Sequence, residues 1–255
     1  MPIPIYDCAD RRPLFGGTKP WTASEWTVQD DRVRGGSSVS YMIPSPAGTS
    51  ALFSGTLDTT TLGGAGFASQ RTTEEAIWDL APYAGIELVV SAPPQNDSTT
   101  VKTFTLVLKD VVPSAYTDRA TGRAREESTL SYEATFKATD GAANGDEQII
   151  FLPWSNFKAT YRGRERDGER ELDLGGIRRF SVMARSFFDN QSGPFQLGLV
   201  SVTAVKGTGR REKAGFVDEY DMFDGDEDGD DGVERREVGN GESERPAGWW
   251  GCRVM

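Results

Sequence analysis

Nine residues, LSYEATFKA at 130–138, set Leu130, Tyr132, Ala134, Phe136 and Ala138 against Ser131, Glu133, Thr135 and Lys137. A period of two puts the first set on one face of an extended chain and predicts a half-buried antiparallel strand. FSVMARSF at 180–187 repeats the pattern, with Phe180, Val182 and Ala184 alternating with Ser181, Met183 and Arg185. FTLVLKDVV at 104–112 and GIELVVS at 85–91 are more continuously apolar and read as more deeply buried strands. Weaker alternation marks 39–43, 51–57, 147–152 and 195–205. These make about eight strands, punctuated by turn-rich stretches such as SAPPQND, TDGAANGD and FFDNQSGP, and predict an all-β sandwich or jelly roll. The best helical signal is TTEEAIWDLAPY at 72–83, where Thr72 and Glu75 have capping-box spacing and Pro82 is the stop. It predicts one short connecting helix.

Beyond this pattern lie two polar segments. YRGRERDGERELD at 161–173 mixes charges of both signs and reads as a solvated loop. After Lys206 hydrophobicity collapses, and 207–255 has the composition of an acidic, disordered tail. Of the net charge of −11, the whole amount resides in 216–244, with 13 acidic and 2 basic residues. The remaining body is neutral, which argues against nucleic acid as a partner, because phosphate binding needs Lys and Arg to replace counterions. The expected organisation is a lead-in at 1–13, one sandwich domain at 14–206 and the tail. No stretch reaches the ~18 apolar residues of a transmembrane helix. The first 21 residues lack the apolar centre of a signal peptide, and Asp7 and Asp10 do not suit a transit peptide.

The chemistry available is narrow. The chain has no histidine, and its two cysteines, Cys8 and Cys252, lie near opposite ends. Histidine bases, Cys-His nucleophiles and zinc sites are therefore disfavoured, and no cofactor or structural metal is expected. Asp30 and Asp31 adjoin, so on an extended chain they point to opposite faces and do not form the facing pair of a carboxylate hydrolase. The chain reads as non-catalytic. Gly35 and Gly36, and Gly63, Gly64 and Gly66 in GGAGFASQR, lack phosphate-loop spacing and read as tight turns or bulges. Arg71 has two readings, a bidentate partner for an external carboxylate or a local pair with an acid such as Glu74. In WTVQDDRVRGGSSVSYM, the segment with Trp26, Asp30, Asp31 and Arg32 is either an electrostatic brace or a partner-contact loop ahead of a strand through Val39 and Tyr41.

Two tail motifs complete the candidates. Asp224, Asp226 and Asp228 take the first, third and fifth places of a calcium loop, but Arg235 stands at the twelfth, so acidic low complexity explains them better. Cys252-Arg253-Val254-Met255 fits a prenylation box, with Trp249 and Trp250 as interfacial support for peripheral membrane contact.

The ordered blocks WTVQDDRVRGGSS, ALFSGTL, GGAGFASQR, DLAPYAGIELVV, FLPWSNFKATYRGR, IRRFSVMARS and GPFQLGLVSVTAV resemble the complex I intermediate-associated protein 30 family. The resemblance implies a galactose-binding-domain-like β-sandwich and a non-catalytic assembly factor or chaperone-like scaffold. It implies as protein partners the assembly intermediates of mitochondrial NADH:ubiquinone oxidoreductase, and a mitochondrial location. The alternative, given the missing presequence, is a cytosolic or membrane-tethered ligand-binding module for a sugar or lipid head group, using Trp26, Asp30, Asp31 and Arg71. The characteristic positions are Trp26, Asp31, Arg32, Gly35, Gly36 and Ser38, then Gly64, Phe67, Ser69 and Arg71, then Trp154, Phe157, Gly193 and Phe195. Arg34 departs from the family's DxVMGG pattern, where Met is common.

Overall fold

Each stretch with a period of two becomes a strand whose apolar face turns inward. The structure, a computed structural model, describes residues 10–207 except 74–75, 92–99, 118, 120–121, 123 and 139–146, with only the backbone of 124–125. The chain divides into two units, Met1–Val217 and Asp218–Met255, and all described residues belong to the first.

The strands are β1 (Arg11–Gly16), β2 (Trp26–Val28), β3 (Val39–Pro44), β4 (Ala51–Leu57), β5 (Phe67–Thr72), β6 (Gly85–Ser91), β7 (Thr103–Lys109) and β8 (Tyr116–Thr117). They continue with β9 (Ala124–Arg125), β10 (Ser131–Lys137), β11 (Glu147–Pro153), β12 (Lys158–Tyr161), β13 (Arg164–Glu165), β14 (Arg179–Arg185) and β15 (Gly193–Val205). One antiparallel sheet runs β11–β6–β15–β4–β3, and β1 joins it beside the second half of β15. The other runs β13–β12–β10–β7–β14–β5–β2, while β8 and β9 form a separate ribbon. The fold is a jelly-roll-like β-sandwich.

Phe53 and Phe195 of the first sheet meet Phe104 of the second, with Phe53 and Phe195 centroids 4.9 Å apart and Phe104 6.2 Å from each. Tyr132, Ala134 and Phe136 are buried as their alternation requires, as are Phe180, Val182 and Ala184. A second aromatic group gathers Phe15, Trp21, Trp26, Trp78 and Phe180, with Phe15 5.0 Å from Trp26 and Trp78 edge-on to Phe180 at 5.1 Å. Tilted and edge-on pairs of this kind add about 0.5–1.5 kcal/mol each beyond the area they bury.

The predicted helix at 72–83 does not form among the described residues. Thr72 ends β5, and at 76–80 Trp78 forms an isolated bridge with Ile177, with Trp78 and Leu80 buried and Ile77 and Asp79 exposed. Trp78 and Ile177 exchange two backbone hydrogen bonds of 2.8 and 3.1 Å, and the Leu80 N–H reaches the Leu174 carbonyl at 2.7 Å. Tertiary pairing with the 174–177 segment satisfies the backbone that a helix would have satisfied internally. The segment 161–173 is also more than a loop. It contains β13, and Arg170 grips Asp110 with two bonds of 2.6 Å. Among the described residues no helix is long and apolar enough to cross a membrane.

Candidate functional site

Two carboxylates join the margins of the two sheets. After β2 the chain turns at Asp31–Arg34 into a short 3-10 helix, closed by Gly35 in a left-handed conformation at φ 87°. Asp30 accepts from the Ser40 N–H at 3.0 Å, the Ser40 hydroxyl at 2.5 Å and the Ser69 N–H at 2.8 Å. Asp31 accepts from the Ser38 N–H at 3.0 Å, the Ser38 hydroxyl at 2.6 Å and the Phe67 N–H at 3.1 Å. Each carboxylate thus ties one residue at the β3 margin to one residue of β5, and the two ties are offset by two residues. The sequence expectation that Asp30 and Asp31 face opposite ways fails because the turn brings both onto the same pair of strands. They are 2% and 0% exposed, so the Asp-Asp segment is enclosed.

The neighbouring glycines make the room. A Cβ on Gly36 would lie 2.3 Å from the Asp31 carboxyl carbon, and one on Gly66 would lie 2.1 Å from the Asp58 carbonyl. Gly63 and Gly64, both at positive φ, belong to the turn that leads into Gly66. On the same turn, hydrogen bonds from Thr61 and Thr60 hold the exposed Asp58 carboxyl down to about 2. Arg34 lies 5.5 Å from the centre of the Phe67 ring, a cation–π contact at the position where the resembled pattern carries Met.

Beside the clasp lies a groove of about 420 Å³ where the edge strands β2 and β3 approach each other. Its lining includes Trp26, Val28, Arg32, Tyr41, Ile43 and Gln70. Tyr41 and Ile43 are 57% and 54% exposed, and Val28 is also exposed. Trp26 is buried and its indole N–H has no hydrogen-bond partner among the described residues, a rarity for a donor removed from water. Arg32 extends into solvent from an ion pair with Asp30 at 3.4 Å.

A second constellation occupies the outer face of the β7–β14–β5 region. Arg179 forks onto both oxygens of Glu126 at 2.6 and 3.2 Å, and Arg71 adds a bond of 3.1 Å. Burial opposes ionisation of Glu126, yet the Arg179 hydrogen bond and charge, followed by Arg71 and Lys109, hold its carboxyl below the usual range. Burial and then the Arg179 charge lower the Arg71 guanidinium. The same two causes push the Lys109 ammonium down to about 8.

The structure therefore separates the sequence candidates. Trp26, Asp30, Asp31 and Arg32 gather at the clasp and groove, while Arg71 projects to the other constellation and pairs with Glu126. Glu74, its expected local partner, lies outside the described residues, as do Asp224, Asp226, Asp228 and Cys252. Lys109, Glu126, Glu133, Arg179 and Arg185 were not singled out from sequence. Glu133 and Arg185 lie on the polar half of the predicted strands, which is the signal that could have found them. Among the described residues no three His, Cys, Asp or Glu side chains gather as a metal site.

Fold and site together define a β-sandwich domain with a side-chain clasp along its open margin. The family described as complex I intermediate-associated protein 30 matches residues 15–199, and the chain belongs to that family. Its relatives include uncharacterized protein C9E9.15 of Schizosaccharomyces pombe, 41% identical over 196 residues, which span 75% of this chain and 83% of that protein. Among solved structures, a family 11 carbohydrate-binding module from Clostridium thermocellum in complex with a β-1,3-1,4-mixed-linked tetrasaccharide aligns with a TM-score of 0.48 at 12% identity. The alignment covers 78% of this chain and 96% of the module. The agarase AgWH50C aligns with a TM-score of 0.42 at 7% identity, over 78% of this chain and 25% of the agarase.

Proposed function

We infer that the protein is a non-catalytic assembly scaffold that holds a protein partner, and that the partner is an intermediate in building respiratory complex I in the mitochondrion. Family membership supports the class of function. The observation that carries the reading to a surface is the groove between β2 and β3, where Val28, Tyr41 and Ile43 expose apolar side chains beside Arg32. An apolar centre with a cationic rim is the composition of a protein-binding patch. In this reading Asp30 and Asp31 keep the two edges in register.

Deletion of the gene, followed by native-gel analysis of mitochondrial membranes, tests the assignment. The expected result is accumulation of complex I subassemblies and loss of the mature complex, restored by the wild-type gene. Undisturbed complex I in the deletion strain would refute it.

A further inference from the structure

The outer face of the second sheet sets cations side by side. Lys109 on β7 pairs directly across strands with Arg179 on β14, and Arg71 on β5 stands opposite Ser181, two residues further along β14. Like charges opposite one another on a sheet are destabilising unless an anion lies between them. The anion present is Glu126, which comes from the segment between β9 and β10. Among the described residues, this one carboxylate faces three cations.

The neighbouring acids are already engaged. Asp110 is held by Arg170, and Glu133 accepts from Arg185 at 2.7 Å and from Thr160 at 2.7 Å. Lys109 donates to neutral oxygens, the Thr129 hydroxyl at 2.9 Å and the Thr129 and Leu130 carbonyls at 3.2 and 3.4 Å. Among the described residues the cluster is therefore short of negative charge in a partly buried place, where charge pairing is stronger than in bulk water.

We propose that Arg71, Arg179 and Lys109 form a binding site for a carboxylate-bearing ligand, and that Glu126 is the internal occupant the ligand displaces. The fork of Arg179 onto Glu126 is the bidentate geometry with which arginine recognises carboxylates. A free dicarboxylate and the acidic side chain of a peptide share this chemistry.

Calorimetric titration of the full chain with glutarate, with a blocked tetraglutamate peptide and with inorganic phosphate tests the site. Glu126→Gln removes the internal competitor and is expected to raise affinity for at least one carboxylate probe about tenfold over wild type. Whichever of glutarate or the peptide gains more names the source. Adding Arg71→Gln, a change at a partly exposed side chain, should cancel the gain. No gain in Glu126→Gln, a gain that survives Arg71→Gln, or phosphate binding as tight as the carboxylates would each overturn the proposal. Should Glu126→Gln not fold, thermal unfolding of wild type decides. At about 100 mM glutarate its Tm should rise above that in sodium chloride of equal ionic strength, and Arg71→Gln should show no such rise. Equal Tm values in the two salts for wild type would overturn the site.

Discussion

Asp31 uses its carboxylate entirely on donors from two strands, and Gly36 exists beside it as the space that carboxylate fills. Replacing Asp31 by Ala leaves the Phe67 and Ser38 N–H groups without their acceptor and the Ser38 hydroxyl with only the Asp58 carbonyl at 3.4 Å, and should cost about 3 kcal/mol or more in urea denaturation. Gly36→Ala should cost roughly 1–3 kcal/mol through the 2.3 Å approach to the carboxylate. The two changes should not add, because without the carboxylate the new methyl has room. A double-mutant cycle measures this, and strictly additive costs would show that the carboxylate is not what Gly36 accommodates. The sequence pointed to both residues, reading Gly36 as part of a turn and leaving Asp31 open between brace and contact loop. Spacing along a chain cannot show that Ser38 and Phe67 converge on one carboxylate.

At the scale of elements, the unpaired margin of β3 explains the serines near it. The outward N–H groups of Ser38 and Ser40 go to Asp31 and Asp30, the Ser40 carbonyl accepts from Gln70 at 3.0 Å, and Pro44 has no N–H. Side chains thus blunt an edge that could otherwise recruit any extended chain. The side-chain surface beside this blunted edge favours a specific partner over indiscriminate strand pairing. Tyr41→Lys should therefore leave stability within about 0.5 kcal/mol, as is usual for exposed positions. It should also lower recovery of the partner in affinity purification at least about tenfold. Unchanged recovery would remove the groove from the interface. Most of the inner strands were legible because burial on one face imposes a period of two, whereas β5 was not, its buried Ala68, Ser69, Gln70 and Thr72 showing no apolar alternation. Short strands such as β2, β12 and β13 were not legible, since two to four residues carry no measurable period. The false helix at 72–83 arose from capping-box spacing, which could not reveal that Leu174 and Ile177 would take its backbone hydrogen bonds.

For the molecule as a whole, the cation cluster should be visible in the pH dependence of stability. Lys109 has a folded value of about 8 against 10.5 for an ordinary lysine, with Arg179, Glu126, Glu133 and Asp110 as the charges acting on it. Between those values the unfolded chain holds a proton that the folded chain has released, so stability rises with pH. The penalty is fully present below about 8 and relieved by about 10.5, a gain of up to roughly 3 kcal/mol. Urea denaturation from about pH 7.5 to 10.5 should show this rise in wild type and its loss in Lys109→Met. Parallel profiles for the two proteins would show that Lys109 is not the group responsible.

The sequence by itself determined the all-β class, the buried faces of the central strands and the family, because alternation and ordered blocks are local properties of the chain. It also determined that 216–244 carries a net charge equal to that of the whole chain, −11. Only the tertiary structure decided that Asp30 and Asp31 join two sheets, that Trp26 and Arg32 line a groove while Arg71 serves another face, and that Glu126 sits among three cations. Those facts depend on which distant strands become neighbours. Glu126 and Arg179 are 53 residues apart, and their meeting is set by the packing of the whole sandwich.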